Sequence, residues 1–109
     1  MKLVRYGATG QEKPGMIDAD GTLRDLSAHV ADITGATLGD DSIAKLRALD
    51  PATLPAVEGS PRMGACVGDI GKFMCIGLNY ADHAAESGME PPESPLAFSK
   101  FTNNVVGPG

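Results

Sequence analysis

The stretch Phe73-Met74-Cys75-Ile76-Gly77-Leu78-Asn79-Tyr80-Ala81-Asp82-His83-Ala84-Ala85-Glu86-Ser87-Gly88 decides how the chain is read. Its first six residues are apolar with no polar alternation, the pattern of a strand covered on both faces. Asn79 is placed to cap a helix, Asp82 follows three positions later, and Gly88 stands where a left-handed residue ends one; the spacing predicts a short helix from Tyr80 to Ser87. On that helix His83 and Glu86 are three apart and share a face, so the carboxylate can orient the imidazole and favour its protonated form. Such a pair can activate water, a contribution of about 100- to 10,000-fold in rate when the proton lies within hydrogen-bond reach. The competing reading is a pair of solvated polar residues. The setting favours chemistry, because a buried strand, an abrupt turn and a short helix deliver polar groups at the strand's carboxyl end.

Downstream, Glu90-Pro91-Pro92-Glu93-Ser94-Pro95 is too rich in proline for a helix or a central strand. Leu96-Ala97-Phe98-Ser99-Lys100 returns to strand-like alternation, with Leu96, Phe98 and Lys100 on one face. Val105-Val106 is expected to start another extended element, and Gly107-Pro108-Gly109 reads as a turn, as if the chain stopped in the middle of a fold.

Upstream, Leu3–Tyr6 is a short strand, and residues 15–18 and 22–26 form a hairpin around Asp20-Gly21, whose glycine tolerates the positive φ of a tight turn. Ser27–Ile33 is a weak helical or turn segment. Asp41–Leu49 is a better helix, with Ile43, Leu46 and Leu49 on one face, Asp41 or Ser42 as cap and Pro51 as its stop. Residues 50–61 contain three prolines and little periodicity, which suits an extended connector. The expected class is α+β: a small, mixed, β-rich lobe over residues 1–70, then a second core begun by residues 71–109.

The composition of the 109 residues is that of an ordinary globular chain, 42% hydrophobic and 21% charged, with a net charge of -5. That balance disfavours nucleic acid and anionic membranes as partners. No long apolar region marks a leader or a membrane span, so a cytoplasmic location is expected. Cys66 and Cys75 have no C-x-x-C spacing and read as buried, reduced thiols, a disulfide between them being the lesser alternative.

The run Cys75-Ile76-Gly77-Leu78-Asn79-Tyr80, then His83 and Glu86, then Ser87-Gly88-Met89, resembles the opening signature of the fumarylacetoacetate hydrolase family, and the match continues through Pro92, Pro95, Phe98 and Lys100 to Gly107-Pro108-Gly109. Residues 1–70 are similar to the variable lobe that precedes the catalytic domain in bacterial members. The resemblance implies a β-rich catalytic fold, a divalent metal such as Mg²⁺ or Mn²⁺, a homodimer, and cleavage of carbon–carbon bonds in diketo acids or related chemistry on keto acids. It implies that His83 and Glu86 are a water-activating dyad on a lid-like helix. Lys100 would supply a cation for a carboxylate or a developing oxyanion, or else stand in solvent at a strand end. Tyr80 would close the pocket or cover the base of the helix. The family's metal ligands, an E-x-E pair and an Asp, are expected downstream of Gly109. Glu90 and Glu93 fit an exposed loop better than a hard-cation site, which needs several convergent oxygens.

A reading from another class stays open: a non-catalytic folding or assembly module that self-associates through the unpaired edge of the Phe73–Leu78 strand.

Overall fold

Asp18 organises the first hairpin. Its carboxylate accepts the backbone N–H groups of Asp20 and Thr22 at 3.0 and 2.8 Å and Nε of Arg24 at 2.9 Å, and Gly21 supplies a φ of 84° that a side chain would resist. The turn joins β2 (Lys13–Ile17) to β3 (Leu23–Asp25), and β1 (Lys2–Tyr6) pairs with β2, so three antiparallel strands lie in the order β1-β2-β3. This computed structural model describes residues 1–108, and the final glycine of the expected Gly107-Pro108-Gly109 turn lies outside them.

The segment expected to be a connector belongs instead to this sheet. Asp25 donates to the carbonyl of Pro55 and Val57 to that of Leu23 along β3, while Gly7 donates to Arg62 and Gly64 to Arg5 along β1. One stretch of chain thus satisfies both outer edges, through bridges at Arg24–Ala56 and Tyr6–Met63. Prolines are tolerated there because they supply carbonyl acceptors and need give no N–H.

Helix α1 (Asp40–Arg47) starts one residue earlier than expected. Its N-cap is Gly39 with no side-chain cap, and Asp40 and Asp41 occupy the first turn, where they face the helix's partial positive charge. Leu46 is buried and Ile43 and Leu49 are half-buried, as their common face requires. Helix α1 ends at Arg47, and Pro51 opens a separate 3-10 turn at Pro51–Thr53. Met16, Leu26, Leu46 and Leu54 form the core, drawn from the sheet, its following turn, α1 and the edge segment. Ser27–Ile33 is a turn, and His29 within it is exposed.

Polar groups brace the same unit. Arg5 donates from Nε and Nη2 to the two carboxylate oxygens of Asp32 at 2.7 and 3.0 Å, and the Tyr6 hydroxyl donates to Asp25 at 2.6 Å. The bond from Arg5 holds the Asp32 carboxyl below its ordinary value. Burial raises that of Asp25, but the bonds from Ser27 and Tyr6 outweigh it and leave it lowered. Burial, with the bond to Asp25, pushes Tyr6 up to about 12. A lowered carboxyl contributes stability that is present above its unfolded pKa, about 4, and lost as pH falls through the folded value. The raised Tyr6 contributes stability that is present below about 10 and lost as pH rises beyond it. Urea midpoints should therefore drop below about pH 4, less steeply in Asp32→Asn, and above about pH 10, less steeply in Tyr6→Phe. Slopes identical to wild type in both variants would show that these contacts do not couple folding to protons.

The contacts divide the chain into two units, Met1–Ile70 with the segment from Val105, and Gly71–Asn104. The second unit is a two-stranded antiparallel ribbon, β4 (Phe73–Gly77) and β5 (Leu96–Lys100), with helix α2 (Ala81–Glu86) in the connection. Strand β4 was expected to be covered on both faces. It is not: Met74 and Ile76 on one face are 59% and 49% exposed and Phe73 on the other is 38% exposed, and β5 is the only strand that pairs with it among the described residues. Val105 and Val106 form no strand, and a 3-10 turn at Thr102–Asn104 precedes them. Within the first unit, a Cβ on Gly107 would stand 2.8 Å from the backbone carbon of Gly64, so only glycine fits there. Both cysteines are free as expected, but Cys66 is exposed and Cys75 half-buried.

Candidate active site

Gly77 ends β4 opposite Leu96. A Cβ at Gly77 would stand 3.1 Å from the Leu96 side chain and 3.4 Å from Phe98, so its absence lets β5 close over the strand end. Leu78 then turns the chain with φ at +49°. A branched side chain in this left-handed region costs about 1–2 kcal/mol, a form of strain that clusters at functional sites. Asn79 follows, but the expected cap falls one residue later. Tyr80 is the N-cap of α2 in extended conformation, with no side-chain cap bond, and its carbonyl accepts the N–H of Ala84 at 3.1 Å.

The far end of α2 closes as the sequence predicts. Gly88 has a φ of 63°, its N–H reaches the carbonyl of Ala85 at 3.1 Å, and that of Met89 reaches Ala84 at 2.9 Å. These two bonds form the paired C-terminal cap that left-handed glycine makes possible. The C-terminal end of the six-residue helix is thereby fixed, with Ala84 its one buried residue. His83 and Glu86 are both exposed. Three apart on a helix, they lie on one face with Cβ atoms roughly 5–6 Å apart. Among the described residues no hydrogen bond or ion pair joins them; Asp82 spends its carboxylate on the backbone N–H of His83 at 2.8 Å. Catalytic hydrogen bonds are often long before substrate binds.

Beside the turn lies an open groove of about 420 Å³ between Ile76–Asn79 and the loop Pro92–Leu96. Binding sites commonly measure about 300–1,000 Å³, so this one suits a small ligand or part of a larger one. Glu93 is in its wall, while Glu90 is exposed in the same loop. Tyr80 is 71% exposed and outside this lining, so it does not cover the base of α2. Lys100 is not beside the groove either. Its register partner is Phe73, four residue steps from the Gly77–Leu96 pair, about 13 Å along the ribbon. There Lys100 and Lys72 line a second open groove of about 440 Å³ with Phe73, Met74 and Phe101. Among the described residues Glu93, at one end of the ribbon, lines its groove without a cation, while Lys72 and Lys100 line the groove at the other end.

A hard divalent cation needs several convergent oxygens. Among the described residues no three His, Cys, Asp or Glu side chains stand close enough together to hold a metal ion. Also among them, no helix is long and apolar enough to cross a membrane.

Two features of the site escaped the sequence. Leucine carries no signal for left-handed backbone, and proline density marks a loop without showing that it folds beside a strand end. The Gly77-Leu78 pair after an apolar run, with a helix cap two residues on, was the one available hint of a sharp turn.

No family model matches the chain. It is 64% identical over 108 residues to a Burkholderia lata protein named "Putative hydrolase", 64% to a protein of the same description in Burkholderia ambifaria, and 65% to one in Burkholderia multivorans. Each alignment covers 99% of this chain and 38% of the relative, so the chain spans well under half the length of the proteins it matches. Their names assign those longer proteins to the hydrolases.

Proposed function

We propose that this chain is the N-terminal part of a fumarylacetoacetate hydrolase-family enzyme that cleaves a carbon–carbon bond in a diketo acid or a related keto acid. The observation that carries the reading is the placement of His83 and Glu86 on one face of a helix capped at its C-terminal end, immediately after the strained Leu78 turn. The signature from Cys75 to Glu86 and the hydrolase names of the relatives support it. His83 takes a proton from water at a ring nitrogen, Glu86 turns toward the imidazolium and stabilises it, and the hydroxide formed adds to the substrate carbonyl; the adduct then breaks its carbon–carbon bond to give a carboxylic acid, and the electron pair leaves as the enolate of the keto acid product, which takes up the proton of the imidazolium at carbon. Tyr80, exposed at the helix start, closes over bound substrate. Lys100 holds a carboxylate only if the substrate or a chain movement spans the ribbon. The reading requires a divalent ion, Mg²⁺ or Mn²⁺, held by acidic residues outside this chain, and places the enzyme as a cytoplasmic homodimer.

The full-length protein, assayed on 2,4-diketo acids with Mg²⁺ or Mn²⁺, should release two carboxylic acid products and lose this activity to a chelator. Failure to cleave any diketo or keto acid in the presence of metal would end the proposal. A second reading, a self-associating module without catalysis, draws on the exposed apolar residues of the ribbon, among them Met74, Ile76 and Phe101. Metal-independent dimers of an inactive full-length protein are its mark.

A further inference from the structure

Resting on the hydrolase reading, we infer that the groove beside the Leu78 turn takes the uncharged alkyl end of the substrate and discriminates against an acyl chain that ends in a second carboxylate. Its apolar walls are Ile76, Leu78, Pro92, Pro95 and Leu96, Asn79 and Ser94 add uncharged polar groups, and among the described residues the one ionisable side chain lining it is Glu93. The cations of this unit's other groove, Lys72 and Lys100, stand at the far end of the ribbon. An anionic tail therefore meets a carboxylate with no counter-charge in the lining, while an alkyl chain releases water from apolar walls.

The backbone supplies an independent argument. At a φ of +49° asparagine or glycine would be relaxed, and leucine is disfavoured. What leucine adds at this position is an apolar wall, which is the property an alkyl tail reads. The groove's size, about 420 Å³, suits a short chain better than a whole extended substrate.

The test is equilibrium binding to the full-length protein, by calorimetry, of 2,4-diketo acids whose far ends are methyl, propyl or pentyl groups, and of one ending in a carboxylate, with turnover followed separately. Affinity should rise by up to about fourfold per methylene, and the carboxylate-tailed acid should bind about tenfold more weakly than the propyl one. Leu78→Asn, which suits the left-handed backbone, should keep the thermal midpoint and lose the dependence on chain length. Leu96→Ala, which shortens the opposite wall at a largely exposed position, should lose it too and serves if Leu78→Asn misfolds. Glu93→Gln should narrow the penalty on the carboxylate tail. A chain-length increment erased by the wall substitutions supports the inference even without turnover, and in that case the missing turnover removes only the hydrolase reading. Affinity that is undetectable, independent of chain length, unchanged by both wall substitutions or tightest for the carboxylate tail overturns the inference even if every acid is cleaved.

Discussion

Replacing His83 with alanine in the full-length protein is expected to lower turnover by about 100- to 10,000-fold while leaving the thermal midpoint within a degree or two of wild type. The two halves of that expectation come from different observations. His83 is exposed, its side chain bonds to nothing among the described residues, and surface substitutions of this kind usually change stability by less than about 0.5 kcal/mol. On the proposed mechanism, the loss in rate follows from removing the group that would take the proton from water. Glu86→Ala should fall by less, because water can partly replace an orienting carboxylate, and the double variant should be little worse than His83→Ala, since residues that act as a unit are not additive. Metal affinity, read by titrating activity or by calorimetry, should stay nearly constant in all three. Turnover in His83→Ala equal to wild type would remove the dyad from the mechanism, and a loss of folding would make the exposed geometry of α2 wrong.

The hairpin, β5 and the end of α2 were legible because their signals are local. Asp20-Gly21 and Gly88 carry backbone conformations that few residues adopt, and Leu96–Lys100 alternates in the way a strand with one apolar face must. The shared face of His83 and Glu86 was legible too, since their spacing follows from helical geometry alone. What was not legible depends on distant partners. Residues 55–64 lack periodicity because they flank a sheet at intervals instead of forming a strand of their own. The apolar run of β4 called for cover on both faces, yet the described residues supply one neighbouring strand and expose much of it. Lys100 shares a face with Phe98 and Leu96, but only the register, which pairs it with Phe73, shows that it stands away from the Leu78 turn.

Leu26→Ala should produce the largest loss of stability in the first unit, about 2–5 kcal/mol. Leu26 has no exposure and sits directly after β3, where its N–H donates to the carbonyl of Pro14 at 3.0 Å and its side chain joins Met16, Leu46 and Leu54. It therefore helps link the sheet to α1 and to Leu54. Truncation leaves a cavity that those partners cannot fill without moving the backbone, and the backbone at Leu26 is held by its hydrogen bond to Pro14. Domains of this size have total stabilities of about 5–15 kcal/mol, so a loss in the upper half of the expected range approaches global unfolding. Leu46→Ala should be costly as well, and a double cycle with Leu26→Ala should depart from additivity because the two share partners. His29→Ala, three residues on and exposed, is the control for local effects. The readout is the urea midpoint and slope: a drop in midpoint with the slope unchanged places the effect in the folded core. A loss below about 1 kcal/mol for Leu26→Ala would mean that the Met16–Leu26–Leu46–Leu54 cluster does not hold this unit together.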